Sequence, residues 1–345
     1  MRRYLLKAMS FLPGATWKAM TMPCNPVAVE MWRTAGRFDG PCDAVHASAF
    51  PYAWPIVCAR RLAQRKGVPF LLTPFLHLGS PDRKDRTRRQ YLAKPLRALL
   101  QSADRIFVQT PSERRAVADL GISDEKIILQ GMGVDPSECV ADNIGEARLR
   151  LRQRAELPGK LLVVGHLANL SYEKGTIDLL QAAAKLRDDG LKLAVVLAGP
   201  TMPNFREFWK ASPKYAYIRP LGILNDAEKR DFFSGIDVFA LPSRSDSFGL
   251  VLLEAWANGV PNIVYRAGGP ADLVRHGTDG VSVRCGDVAG FADGLRGLLA
   301  DEVFRRRLGE AGRARIGTEF RWEEKLAIVE RECLRFALAP RERET

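Results

Sequence analysis

Asp246 and Glu254 stand eight positions apart in the run Pro242-Ser-Arg-Ser-Asp-Ser-Phe-Gly-Leu-Val-Leu-Leu-Glu254, with Phe248-Gly249 and an apolar stretch between them. A carboxylate is an acceptor-only group, suited to holding hydroxyls. Upstream, residues 237–241 form a short apolar run closed by Pro242-Ser243, which reads as a buried strand ending at a loop. Gly249 turns the chain, and residues 250–258 read as a helix stopped by Gly259-Val260-Pro261. Such a strand, loop and helix start aims the backbone N–H groups of Ser247, Phe248, Gly249, Leu250 and Val251, with the positive end of the helix dipole, at one spot. That spot suits a diphosphate. At about 3.6 residues per turn, Glu254 lies a turn and a half into the helix, where a carboxylate can accept from ribose hydroxyls. Asp246, on the loop, would face a sugar.

A second strand, loop and helix start precedes the first. Residues 161–167, Leu-Leu-Val-Val-Gly165-His166-Leu, read as an apolar strand ending at Gly165. Ser171-Tyr-Glu-Lys174-Gly175-Thr176 follows, then a helical pattern at Ile177, Leu179, Leu180, Ala183 and Ala184. Lys174 brings a point charge with three donors to the phosphate end of this loop, where negative charge grows as a leaving group departs. Further alternation of strands and helices makes residues from about 154 to 320 one doubly wound parallel sheet, with a ligand crevice at its strand C-termini. The glycines of Ala267-Gly268-Gly269 are expected to let the backbone approach a ligand closely.

The pair Asp246 and Glu254, in the setting P-S-x-x-E-x-F-G-x-x-x-x-E-A, resembles the retaining glycosyltransferases of family 4, with Asp246 in the place of the usual first Glu. Lys174-Gly175 matches that family's v-G-R…K-G pattern, whose Arg and Lys clamp the diphosphate; His166 stands at the Arg position, and Arg244 could supply a second positive group. The resemblance implies that His77, in Thr73-Pro-Phe-Leu-His77-Leu-Gly79, meets the transferred sugar. It runs from about Asp43 to the C-terminus through strands expected at 43–48, 68–73 and 103–110, helices at 56–66 and 87–101, a helix capped by Ser112, and Gly131-Met-Gly133-Val-Asp135. It implies an α/β fold of two Rossmann-like domains facing across a cleft, the GT-B architecture. The expected bounds are 1–153 for an acceptor-side domain, 154–320 for a nucleotide-sugar domain, and 321–345 for a helix returning to the first. Only 42 residues precede Asp43, so the first domain is expected to lack its leading strands.

The implied activity is transfer of a sugar, with retention, from an NDP-sugar to a hydroxyl of a glycan or lipid-linked saccharide. It needs no metal and no cofactor, because Lys174 and the helix N-termini neutralise the diphosphate. Two alternatives stay open: a degenerate donor-binding partner subunit, and an NDP-sugar 2-epimerase, which would need more acid/base groups than a chain with four histidines offers. Composition fits a globular protein of two domains, at 345 residues, 46% hydrophobic and 27% charged. Six cysteines without C-x-x-C spacing read as reduced, buried thiols of a cytoplasmic protein. Of the net charge of +12, residues 1–150 hold 23 Lys and Arg against 14 Asp and Glu, densest at 83–97. That segment suits either an anionic membrane face, touched peripherally, or a solvated basic helix. Without interleaved aromatics or a known binding module, it does not suit nucleic acid.

Overall fold

The computed structural model describes residues 27–48, 50–80, 85–158, 161–212 and 217–338. They fall into two compact units, one of residues 1–78, 82–131 and 325–345, the other of 79–81 and 132–324.

The first unit runs α1 (Val29–Arg37), β1 (Val45–Ser48), α2 (Ala53–Lys66), β2 (Phe70–Thr73), α3 (Arg86–Tyr91), α4 (Lys94–Gln101), β3 (Arg105–Val108), α5 (Pro111–Ala118) and β4 (Ile127–Leu129). Its strands pair in parallel in the order β1-β2-β3-β4. All four residues of β2, Phe-Leu-Leu-Thr, are buried, as a parallel strand covered on both faces requires. The single helix expected at 87–101 is two helices. Pro95 in the first turn of α4 needs no N–H partner there, but in a helix continued from α3 it could not donate to Tyr91 O and its ring would crowd that carbonyl, so α3 has already ended. Thr110, not the expected Ser112, caps α5: its hydroxyl accepts from Glu113 N at 3.1 Å and Pro111 takes the first helical position.

The second unit continues with α6 (Pro136–Cys139), α7 (Ile144–Arg154), β5 (Leu162–Leu167), α8 (Thr176–Asp188), β6 (Leu193–Ala198), α9 (Pro203–Ala211), β7 (Ile218–Gly222), α10 (Asp226–Gly235), β8 (Val238–Leu241), α11 (Leu250–Ala257), β9 (Asn262–Tyr265), α12 (Gly268–Leu273), β10 (Gly280–Val283), α13 (Val288–Ala300) and α14 (Glu302–Glu319). A final helix, α15 (Trp322–Leu338), belongs from Lys325 onward to the first unit, where Glu332 Oε2 accepts from Arg105 Nε at 2.9 Å.

Residues 132–153 fold with the second unit, not with the first as the sequence boundary at 153 had it. The reason is α7: Arg150 grips Asp231 of α10 with two hydrogen bonds of 2.7 Å, and Leu151 packs where Gly235 leaves no room for a Cβ. The six-stranded sheet is parallel, in the order β10-β9-β8-β5-β6-β7. Successive residues of each strand supply opposite faces, Val163 and Val196 to one core and Val164 and Val195 to the other. Pro220 is accommodated because β7 is an edge strand, with a register shift opposite it. The order reverses between β5 and β8, and at such a switch point the loops after the two strands open a crevice at the C-terminal edge.

Candidate functional site

The loops after β5 and β8, on either side of the switch point, carry Lys174 and Asp246. Their approach is set by Gly175, in the left-handed region at φ 72°, where an added Cβ would lie 1.9 Å from Pro242 O. Only glycine fits. Arg244 N also donates to Glu173 O at 2.8 Å, so the loops are joined backbone to backbone. Held in this way, Lys174 Nζ and Asp246 Oδ2 form an ion pair of 2.5 Å, largely shielded from solvent. Each loop leads into a glycine N-cap, Gly175 for α8 and Gly249 for α11, which has no side chain to occupy the first-turn N–H groups.

Asp246 is also held from behind. Gly269 N donates to Asp246 O at 2.9 Å, and Cβ atoms on Gly268 and Gly269 would lie 2.3 Å from Asp246 O and 2.4 Å from Ser247 O. The glycines expected to admit a ligand therefore admit the 246–248 loop instead. Phe248 is buried against Phe320, whereas Leu250 is exposed at the start of α11.

Glu254 sits one turn further along α11. Its Oε1 accepts from Lys229 Nζ of α10 at 2.7 Å, while its Oε2 is buried and takes no hydrogen bond among the described residues. A buried acceptor without a partner is costly, so this oxygen stands out among the polar atoms of α11. The carboxylate lines a cavity of about 400 Å³ with Gly133, Asp135, Glu138, Lys229 and Leu250. Sequence reading did not single out Lys229. Its one signal was a lysine near the start of an N-capped helix, where the dipole opposes positive charge.

His166 does not face a phosphate. It lies inside β5, which continues past Gly165 to Leu167, and it is fully buried. Nδ1–H donates to Ala240 O at 2.8 Å; Thr176 Oγ1, which accepts from Ser171 N at 3.1 Å, donates to Nε2 at 3.0 Å. Burial lowers its pKa to about 4, helped by the charge on Lys174 and opposed by the Ala240 bond, so the ring is neutral and bonds β5, β8 and the start of α8 together. Gly165 is likewise a packing residue, since a Cβ there would meet Ile236 and Phe232 within 2.8 Å.

Arg244 turns away from the role of a second phosphate cation. Its Nη2 pairs with the buried Asp178 at 2.7 Å, and its guanidinium lies over Tyr172 at 4.2 Å and Tyr265 at 5.7 Å. Tyr265 Oη donates to the same Asp178 at 2.7 Å, which joins α8, β9 and the 242–247 loop.

His77 belongs to the first unit. Its ring is half-buried, 5.1 Å from that of Tyr91. The preceding residues are fixed by Glu113, fully buried, which accepts from Leu76 N at 2.7 Å and from Gln109 N at 2.6 Å. Burial pushes its pKa up to about 7, against the pull of those two bonds. Among the described residues no three His, Cys, Asp or Glu side chains converge as metal ligands. Five of the six cysteines are free thiols, of which only Cys58 and Cys139 are fully buried; Cys24 lies outside the described residues.

Comparison with known proteins places both units in one context. HepE of Anabaena, solved in complex with UDP-glucose, superimposes with a TM-score of 0.72 at 19% identity, covering 88% of this chain and 81% of that one. Sucrose-phosphate synthase of Thermosynechococcus elongatus gives 0.74 at 22% identity, over 97% of this chain and 80% of its own. These likenesses show the GT-B fold. By sequence the chain is 29% identical to a glycogen synthase of Mycobacterium tuberculosis over 81% of its own residues, and it spans 66% of that protein's length. Residues 9–133 match the glycosyl transferase 4-like domain, and residues 147–315, which carry Lys174, Asp246 and Glu254, match the glycosyl transferases group 1 domain. The chain thus joins a glycosyl transferase 4-like domain to a glycosyl transferases group 1 domain.

Proposed function

We propose that this chain transfers a glycosyl group from a nucleoside diphosphate sugar, with retention of anomeric configuration, to a hydroxyl of a glycan or lipid-linked acceptor. The observation that carries the reading is the buried, unpartnered Oε2 of Glu254 beside a cavity, on the helix into which the loop of the Lys174–Asp246 pair leads. The nucleoside lies at Glu254, the diphosphate at the glycine-capped starts of α8 and α11, and the sugar at Asp246. In this reading Lys174 leaves Asp246 for the diphosphate. It then stabilises charge that grows as the bond from the anomeric carbon to the β-phosphate oxygen breaks. The acceptor oxygen bonds to that carbon on the same face, and its proton passes to the departing diphosphate. Lys174 and the helix N-termini neutralise the diphosphate, so no metal is assigned. The acceptor is assigned to the first unit, and His77 keeps the role that the family pattern implies.

The exposed Arg86, Arg89, Lys94 and Arg97 of α3 and α4 support a peripheral contact of the first unit with an anionic membrane. Arg83 and Lys84, part of the same cluster, lie outside the described residues. The deciding experiment is calorimetry with UDP and GDP, followed by hydrolysis and transfer assays with UDP- and GDP-sugars. Binding without turnover of any donor would favour a donor-binding subunit, release of a C2 epimer an epimerase, and no binding at all would remove the reading.

A further inference from the structure

The two loops of the crevice exchange charges crosswise. The loop after β5 carries Lys174 and leads to Asp178 in the first turn of α8, and the loop after β8 carries Arg244 and Asp246. Lys174 Nζ meets Asp246 Oδ2 at 2.5 Å, and Arg244 Nη2 meets Asp178 Oδ2 at 2.7 Å. The two carboxylates are not equally shielded, since 15% of the Asp246 side chain is exposed but only 4% of the Asp178 side chain. Asp178 Oδ2 also accepts from Tyr265 Oη at 2.7 Å, and Tyr172 lies against the guanidinium at 4.2 Å. Parting Arg244 from Asp178 would therefore leave a buried charge without its counter-ion, a strongly destabilising change. Arg244 nevertheless has a donor to spare, because its Nη1 is buried and makes no hydrogen bond among the described residues. Asp246 stands two residues further along the same loop, at most about 7 Å away along the chain, which an arginine side chain can bridge.

We propose that Asp178 is a positioning residue: by holding Arg244 it keeps Asp246 open to the transferred sugar when Lys174 moves to the diphosphate. The inference rests on the roles proposed above for Lys174 and Asp246. A donor that draws Lys174 away leaves Asp246 without its cation, and the nearest replacement along the chain is Arg244. A guanidinium pairs with a carboxylate through two parallel bonds, which would occupy the oxygens that the sugar hydroxyls need. Asp178 withholds that competitor, so one pair of the clasp opens while the other stays shut.

Crystal structures of the full chain carrying Lys174→Ala, and Lys174→Ala with Asp178→Asn, show where the guanidinium goes once the lysine is gone. In the first, Arg244 should remain on Asp178; in the second, it should lie within hydrogen-bond distance of Asp246. Arg244 on Asp246 in Lys174→Ala overturns the proposal by itself, even if the double variant does not fold, and so does Arg244 still held at position 178 in the double variant. Kinetics with whichever of UDP-glucose and GDP-mannose the wild type hydrolyses give a second readout. Asp178→Asn should lower kcat by roughly tenfold or more, as for a misplaced catalytic group, with affinity for the matching nucleoside diphosphate within about threefold by calorimetry. Adding Arg244→Met removes the competing cation and should restore kcat to within about threefold of wild type. A merely structural carboxylate predicts the reverse, because the second substitution would add to the damage; no recovery in a double variant that is folded by circular dichroism overturns the proposal. Wild type binding neither UDP nor GDP removes the donor reading instead, and the crystal structures still decide whether Asp178 holds Arg244.

Discussion

Lys174 and Asp246 meet at 2.5 Å although 72 residues separate them, because two crossovers of the same sheet end at neighbouring strands. Each loop was legible by itself, from an apolar run, a Ser/Gly turn and a helical period. That the two charges neutralise each other was not, since nothing local encodes the pairing of β5 with β8. We expect Lys174→Ala to lower turnover by roughly 100-fold to 1000-fold, as for the loss of one preorganised donor to a developing anion. Donor affinity should fall much less, and single-turnover kinetics beside calorimetry would separate the two. His166 illustrates the opposite failure. By position it stands where an arginine would clamp phosphate, yet its partners Ala240 and Thr176 close around a neutral ring. An arginine there would bury a charge with no counter-ion, so His166→Arg should lose on the order of 3 kcal/mol or more in urea unfolding. Unchanged stability with faster transfer would mean that the side chain reaches the diphosphate after all.

At the scale of elements, the strands were readable because parallel, doubly covered strands are continuous apolar runs, as in β2 and β6. Helix boundaries were read less well. The break between α3 and α4 depends on Pro95, and the cap of α5 on Thr110, whose neighbour Ser112 has an equally suitable hydroxyl. The sharpest element-level device is Glu113, which ties α5 to the segments bearing Leu76 and Gln109. Its carboxyl has a pKa raised to about 7 from 4.5. Between these values the unfolded chain ionises while the folded carboxyl holds its proton, so the stability it contributes is full below about 4.5 and is lost as pH rises through about 7. Glu113→Gln should abolish that slope while costing about 1–3 kcal/mol, since one of two backbone N–H groups loses its acceptor. Urea titrations of both proteins at pH 4.5 and 7.5 check both statements.

For the whole molecule, the division into two α/β units could be read from the sequence, but its position could not. Residues 132–153 follow the first sheet in sequence, yet α7 belongs with α10 through Arg150, Leu151 and Gly235, contacts made by residues about 80 positions apart. The uneven charge is a property at this scale too. No helix among the described residues is long and apolar enough to cross a membrane. Replacing Arg86, Arg89, Lys94 and Arg97 by glutamine should release the protein from anionic liposomes, by about 1 kcal/mol per residue at low salt. Co-sedimentation would show it, and a wild-type protein that ignores such liposomes at low salt ends the membrane reading.

The glycine contact at Gly175 has a consequence for how this crevice can change. With 1.9 Å between a would-be Cβ and Pro242 O, the two loops behave as one hinge-less block rather than as separately adjustable lips. Drift in the sequence of one loop is therefore tolerated only where the main chain of the other is left in place. New donor preferences in such a chain would arise at side chains lining the cavity, such as Leu250 and Lys229, and not through remodelling of the loop backbones that bring the charges together.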